Sequence, residues 1–126
     1  MKELLLVCLG GGIGTGARFL AGCALNSVAW SWLPVGTILV NIVGSFLLSF
    51  IAVFSMRHGK LPDVVVLMLT TGVMGGFTTY STFNHETLSM IQAGRWQLAV
   101  ANVGVTFLMC GGAGLLGMFL ASRIPA

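Results

Sequence analysis

Long apolar runs separated by short polar breaks dominate the chain. The first runs from residue 4 to about residue 25 and is interrupted only by Arg18. The second runs from about residue 35 to residue 56, and the last from about residue 98 to residue 121, both without a charged side chain. A helix needs about 20 mostly apolar residues to cross about 30 Å of hydrocarbon, so each run predicts a membrane-spanning helix. The breaks fall at residues 26–34, 57–60 and 93–96. They hold Trp30, Trp32 and Trp96, where interfacial aromatic anchors belong.

The third run, from residue 62 to about residue 92, is of another kind. As one helix it would be roughly 46 Å long at about 1.5 Å per residue, which overshoots the bilayer. Its middle, residues 70–83, is dense in glycine and hydroxyl side chains. Non-helical backbone at membrane depth is tolerated only where protein or water covers it, and broken helices of this kind mark ion or substrate sites. The composition therefore predicts a break near Gly75–Thr79.

Composition agrees with the pattern and narrows it. Of 126 residues, 56% are hydrophobic and 7% charged, with a mean hydropathy of +0.99. Soluble domains carry about 25% charged residues, so this chain excludes a soluble enzyme, a secreted disulfide scaffold and a disordered tail. The net charge of +3 is spread over Lys2, Arg18, Arg57, Lys60, Arg95 and Arg123. Nucleic-acid binders cluster their basic residues on one face, so these read as residues flanking membrane spans. With four spans, Lys2, Arg57, Lys60 and Arg123 share one side against Arg95, joined by Arg18 if it snorkels outward, which leans towards a cytoplasmic N-terminus. Cys8, Cys23 and Cys110 lie in apolar stretches and read as buried small hydrophobes.

Two local patterns point elsewhere and fail. Residues 12–17 fit the G-x-G-x-x-G/A dinucleotide pattern, but no acidic residue occurs between Glu3 and Asp63 to bind a ribose. Helix packing explains the glycines better: Gly10/Gly14, Gly12/Gly16 and Gly72/Gly76 are small-xxx-small pairs that let backbones approach. Residues 20–23 resemble a lipoprotein cleavage box, yet a signal sequence carries its positive charge before the apolar core, not at Arg18.

Within hydrocarbon the polar residues are the informative ones. Arg18 reads equally as an interfacial snorkeller or as a cation at a water-filled mouth. Asn41 is either interhelical glue or an amide donor to an anion. Glu86 and His85 follow the expected break, where a carboxylate is structural or relays a proton or cation. Asn102 and Thr106 stand one turn apart and could face a polar seam. The densest group is Thr78, Thr79, Tyr80, Ser81, Thr82, Phe83 and Glu86. Tyr80 and Phe83, spaced i and i+3, share a helix face and read as core packing unless the interleaved hydroxyls mark a path. Aromatic edges are electropositive, so ring edges with hydroxyls could line a narrow anion path that binds weakly at several points.

Three motifs carry a family resemblance. Residues 10–18 (GGGIGTGAR), 36–44 (GTILVNIVG) and 71–83 (TGVMGGFTTYSTF) occur in this order. Over essentially its whole length the chain resembles the Fluc (CrcB-type) fluoride channels. That resemblance implies an all-α membrane protein of four transmembrane helices, the third broken mid-membrane. It also implies an antiparallel, dual-topology homodimer in a bacterial inner membrane, with two fluoride pores and a central structural Na+. By motif position, the backbone carbonyls of Gly75 and Thr78 would hold Na+, and Asn41 would donate to fluoride. Tyr80 and Phe83 would occupy the aromatic-box positions. Thr37, Ser81, Thr82 and Glu86 would fall on or near the polar track, with Arg18 by the aqueous vestibule. Tyr80 stands where the motif commonly has Phe, and Asn102 where many relatives carry Tyr.

The residues themselves agree on one point: four helices in 126 residues leave little interior, so a pore would need a second subunit. The competing reading is a small proton-coupled multidrug or guanidinium exporter. Such exporters use a membrane-embedded Glu in the first helix, where this chain has only Arg18 beyond the terminal Glu3. A subunit without transport activity would leave the Thr/Ser/aromatic stretch without a purpose.

Overall fold

The computed structural model describes residues 1–26, 32–59 and 61–125. The roles expected of Trp30 and Lys60 lie outside the described residues. Three spans are uninterrupted helices: α1 (Lys2–Asn26), α2 (Val35–His58) and α6 (Trp96–Arg123). The third span, Asp63–Gln92, is assembled from α3 (Asp63–Leu67), a π-helical segment (Met68–Met74), α4 (Gly75–Phe77) and α5 (Tyr80–Gln92). The chain is thus all-helical, with four stretches among the described residues long and apolar enough to cross a membrane. Gly59 closes α2 in a left-handed conformation (φ 56°), its N–H bonding to the Ser55 carbonyl at 3.0 Å. Gly94 (φ 71°) makes the turn between α5 and α6.

Burial is inverted relative to a water-soluble protein. Leu4, Leu9, Ile13, Phe19, Phe107, Leu108 and Leu115 are exposed, whereas Gly10, Gly14, Gly72, Ala121 and Asn102 are buried. Lipid tails are as apolar as leucine, so burying large side chains gains little, and small residues that bring backbones together fill the interfaces.

Two seams result. Along the first, α1 lies on the π-helical segment and α4. A Cβ at Gly10 would stand 2.7 Å from the Met68 carbonyl oxygen, and one at Gly72 2.9 Å from that of Val7. A Cβ at Gly14 would collide with the Val73 carbonyl. The pairs Gly10/Gly14 and Gly72/Gly76 therefore face each other. Gly12/Gly16 does not belong to this packing: both are exposed, with nothing within 4 Å of an added Cβ. They lie on the opposite side of α1, which a stripe of closely spaced glycines does not reveal by itself. Along the second seam α2 lies on α6, with Gly117 against the Phe46 carbonyl and Gly114 beside Ser49.

Between α4 and α5 two residues leave helical geometry. Thr78 (φ −79°, ψ 157°) and Thr79 (φ −149°, ψ 111°) are extended, and the helix resumes at Tyr80. Gly44 of α2 stands against the side chain of Thr78, so α2 approaches the third span at this point.

Candidate functional site

The interruption at Thr78–Thr79 is held by one side chain from the neighbouring helix. Asn41 of α2 is buried and bonds both backbone groups of Thr79. Its Nδ2 donates to the Thr79 carbonyl at 3.1 Å, and its Oδ1 accepts from the Thr79 N–H at 2.8 Å. A primary amide presents a donor and an acceptor side by side, which matches a peptide unit turned out of a helix. Thr79 then serves as N-cap of α5: its Oγ1 accepts from the Thr82 N–H at 3.2 Å and donates to Thr82 Oγ1 at 2.9 Å. Ser81 Oγ lies 3.3 Å from the same oxygen.

The carbonyls on the near side of the interruption are redistributed accordingly. In a continuous helix the Thr79 N–H would bond to the Gly75 carbonyl, but Asn41 has taken it. The Gly76 carbonyl instead accepts from Arg18 Nε at 3.1 Å. Arg18 is half-buried, and its guanidinium lies against α4. Thr78 donates both its N–H and its Oγ1–H to the Met74 carbonyl, each at 3.0 Å. Gly75 is exposed and has lost its helical donor, so its carbonyl oxygen is available.

Asn41, Thr78, Thr79, Tyr80 and Phe83 line one groove of about 900 Å³ between α2, α5 and α6. Among the described residues no charged side chain contributes to its lining. The rings of Tyr80 and Phe83 lie 5.8 Å apart between centroids and are tilted by 48°. Tyr80 is 77% exposed, so the groove is open on the side its ring faces. Across from the rings, α6 contributes Thr106, whose hydroxyl is buried without a partner among the described residues. Ser45 and Ser49 extend the lining along α2.

Beyond the groove the polar positions continue. Thr37, one turn before Asn41, donates to Glu86 Oε1 at 2.8 Å. Glu86 Oε2 is buried and unpartnered among the described residues. Glu86 also borders a second cavity of about 330 Å³, together with Trp32, His85, Ser89 and Arg95. Asn102 turns away from Thr106: it is fully buried and donates to Thr87 Oγ1 at 2.9 Å. The seam expected of this pair is divided between the groove and the α5–α6 contact.

The structure thus gathers Asn41, Thr78, Tyr80 and Phe83 on one groove and links Ser81 and Thr82 to it through Thr79. It sets Thr37 with Glu86 a turn away, and Arg18 with Gly76 on the α1 side. Sequence reasoning gave Thr79 no role of its own and passed over Ser45, Ser49 and Thr87. A signal for the serines existed: Thr37, Asn41, Ser45 and Ser49 recur every four residues and share one face of an otherwise apolar helix. Nothing comparable marked Thr79, whose importance lies in its backbone.

Comparison with known proteins places this arrangement among relatives. The family model described as "CrcB-like protein, Camphor Resistance (CrcB)" matches residues 5–118. A protein of Anaeromyxobacter dehalogenans named "Fluoride-specific ion channel FluC" is 47% identical over 110 residues, covering 87% of each chain. One of the same name from Sorangium cellulosum is 40% identical over 126 residues, covering 100% of this chain and 99% of its own. "Fluoride-specific ion channel FluC 2" of Symbiobacterium thermophilum is 38% identical over 118 residues, with 94% and 93% covered.

Proposed function

Because the chain belongs to the CrcB-like family, we propose that it is a passive fluoride channel that exports the ion across a bacterial inner membrane. One observation carries the reading beyond the names of its relatives. The groove presents a buried amide, hydroxyls and two aromatic rings, with no charged side chain in its lining among the described residues. A bare cation would bind a small anion too tightly to release it, and conduction needs binding weak enough to leave. An amide nitrogen has two hydrogens, and Thr79 uses one of those on Asn41. The second is the donor to fluoride. The edges of Tyr80 and Phe83 supply further weak positive potential. Ser81, Thr82, Thr37 and Glu86 continue the polar path beyond the rings, and Arg18 stands at the aqueous vestibule, anchored on the Gly76 carbonyl.

The open groove also supports a second copy of the chain. Facing lipid, it would leave the second N–H of Asn41 and the unpartnered Thr106 hydroxyl beside hydrocarbon, where an unsatisfied polar group costs several kcal/mol, of order 2–7. A partner in antiparallel, dual topology covers it and makes two pores per dimer, with the third span broken at mid-membrane in each copy. The lean of Lys and Arg to one side is small enough to permit insertion both ways. A central sodium ion fits the donors present. Among the described residues no group of His, Cys, Asp or Glu gathers to hold a metal, while the Gly75 carbonyl has lost its helical donor. The carbonyls of Gly75 and Thr78 would hold the ion, which supplies a fixed positive charge between the copies.

The test is fluoride efflux from liposomes, followed with a fluoride-selective electrode. The expected result is rapid efflux without a proton gradient, chloride passing far more slowly, and loss of flux in Asn41→Asp and Phe83→Ile. Efflux coupled to protons would favour the exporter reading. Equal chloride flux would make the protein a nonselective pore.

A further inference from the structure

The helix that carries the two rings is bonded by two buried asparagines, from different helices. Asn41 fixes the backbone just ahead of Tyr80 through Thr79. On the other side of α5, Asn102 of α6 donates to Thr87 Oγ1 at 2.9 Å, and Thr87 Oγ1 donates to the Phe83 carbonyl at 2.8 Å. We propose that Asn102 is a positioning residue for Phe83: acting through Thr87, it sets the orientation in which that ring meets the ion. The proposal rests on the channel reading given above and adds to it a residue that does not touch the path.

Three features support the assignment. The relay runs in one direction, since the Asn102 amide donates to the hydroxyl and leaves the hydroxyl proton for the Phe83 carbonyl. A threonine hydroxyl bonded four residues back often bends a helix, and here that bond ends on the carbonyl of Phe83. The arrangement is also costly by itself. Asn102 is fully buried, yet its Oδ1 has no partner among the described residues. A leucine of similar volume would relieve that unmet acceptor, so the amide is poorly explained as a source of stability.

The test uses the full-length protein with 4-fluorophenylalanine at position 83 for 19F NMR, alongside fluoride and chloride efflux from liposomes. Asn102→Leu should leave the thermal midpoint in detergent unchanged or higher. Its 19F resonance should shift and broaden as the ring samples several orientations, and fluoride-over-chloride selectivity should fall about tenfold, equivalent to about 1.4 kcal/mol. Thr87→Val should reproduce both changes, the double variant should be no worse than Thr87→Val, and Thr87→Ser should restore the parent behaviour. An unchanged 19F spectrum in Asn102→Leu overturns the proposal, as does unchanged selectivity in that variant when the parent conducts. A lowered midpoint with both other readouts unchanged makes Asn102 structural glue. If the parent passes no fluoride, the channel reading fails, and the spectrum still decides the positioning role.

Discussion

The two sides of the third span are held by opposite means. Towards α1 it is backbone against backbone: Gly10 and Gly14 press on the π-helical segment, and Gly72 and Gly76 press back. Towards α2 and α6 it is side chain against backbone, with Asn41 on Thr79 and Asn102, through Thr87, on Phe83. The glycine side tolerates no added atom because a carbonyl cannot swing aside as a side chain can. The amide side depends instead on the two hydrogen bonds that Asn41 makes to Thr79. One seam fixes where the span lies; the other fixes where it opens and how its rings are turned.

The largest effect that follows from this contrast is at Gly14. Gly14→Val places a branched side chain on the Val73 carbonyl, and the strain should reach about 3 kcal/mol, the upper part of the range for overpacking. Gel filtration in detergent should show loss of the native peak. Next is Asn41→Leu, similar in volume but unable to bond, which strands both backbone groups of Thr79. It should cost about 2–3 kcal/mol, with each of the two stranded groups near the low end of the usual range of about 1–3, and abolish fluoride flux, read as thermal midpoint and efflux together. Retained flux with the midpoint lowered would restrict the amide to a structural role.

Arg18→Met tests a polar contact on the glycine side, since its guanidinium from α1 bonds to the carbonyl of Gly76 beside the interruption. Losing a charge-assisted bond should cost about 1.5–3 kcal/mol in the midpoint, with less reduction in flux than Asn41→Leu. The smallest effect should come from Gly12→Ala on the outer face of α1. Nothing lies within 4 Å of the added methyl, so folding and efflux should match the parent or improve slightly, by up to about 1 kcal/mol of helix propensity. A loss as large as that at Gly14 would show that this face is covered by another helix.

Much of this was legible along the chain. The long apolar runs mark the spans, and the Gly/Thr-rich stretch marks where the third one changes character. The motif carrying Asn41 marks the residue that meets it. Less legible was the choice among glycines. Gly10/Gly14 and Gly12/Gly16 are equivalent as patterns, and only the rotation of α1 against its neighbour separates the pair at the seam from the pair facing outward. Thr79 and Thr87 were equally hidden. Both act through bonds to residues distant in sequence, 38 positions for Asn41 and 15 for Asn102, and no local rule reports a partner so far away.

The sequence by itself determined that this protein lives in a membrane, how many times it can cross, and which residue types its interior offers an ion. Those follow from transfer energies and helix length, which are sums over neighbouring residues. The tertiary structure alone decided that Asn41 unpicks the helix at Thr79, that Arg18 turns to a freed carbonyl, and that Asn102 reaches the Phe83 turn through Thr87. Each of these assigns a particular donor to a particular acceptor across two helices, and that pairing exists only once the helices have found their relative rotation and depth.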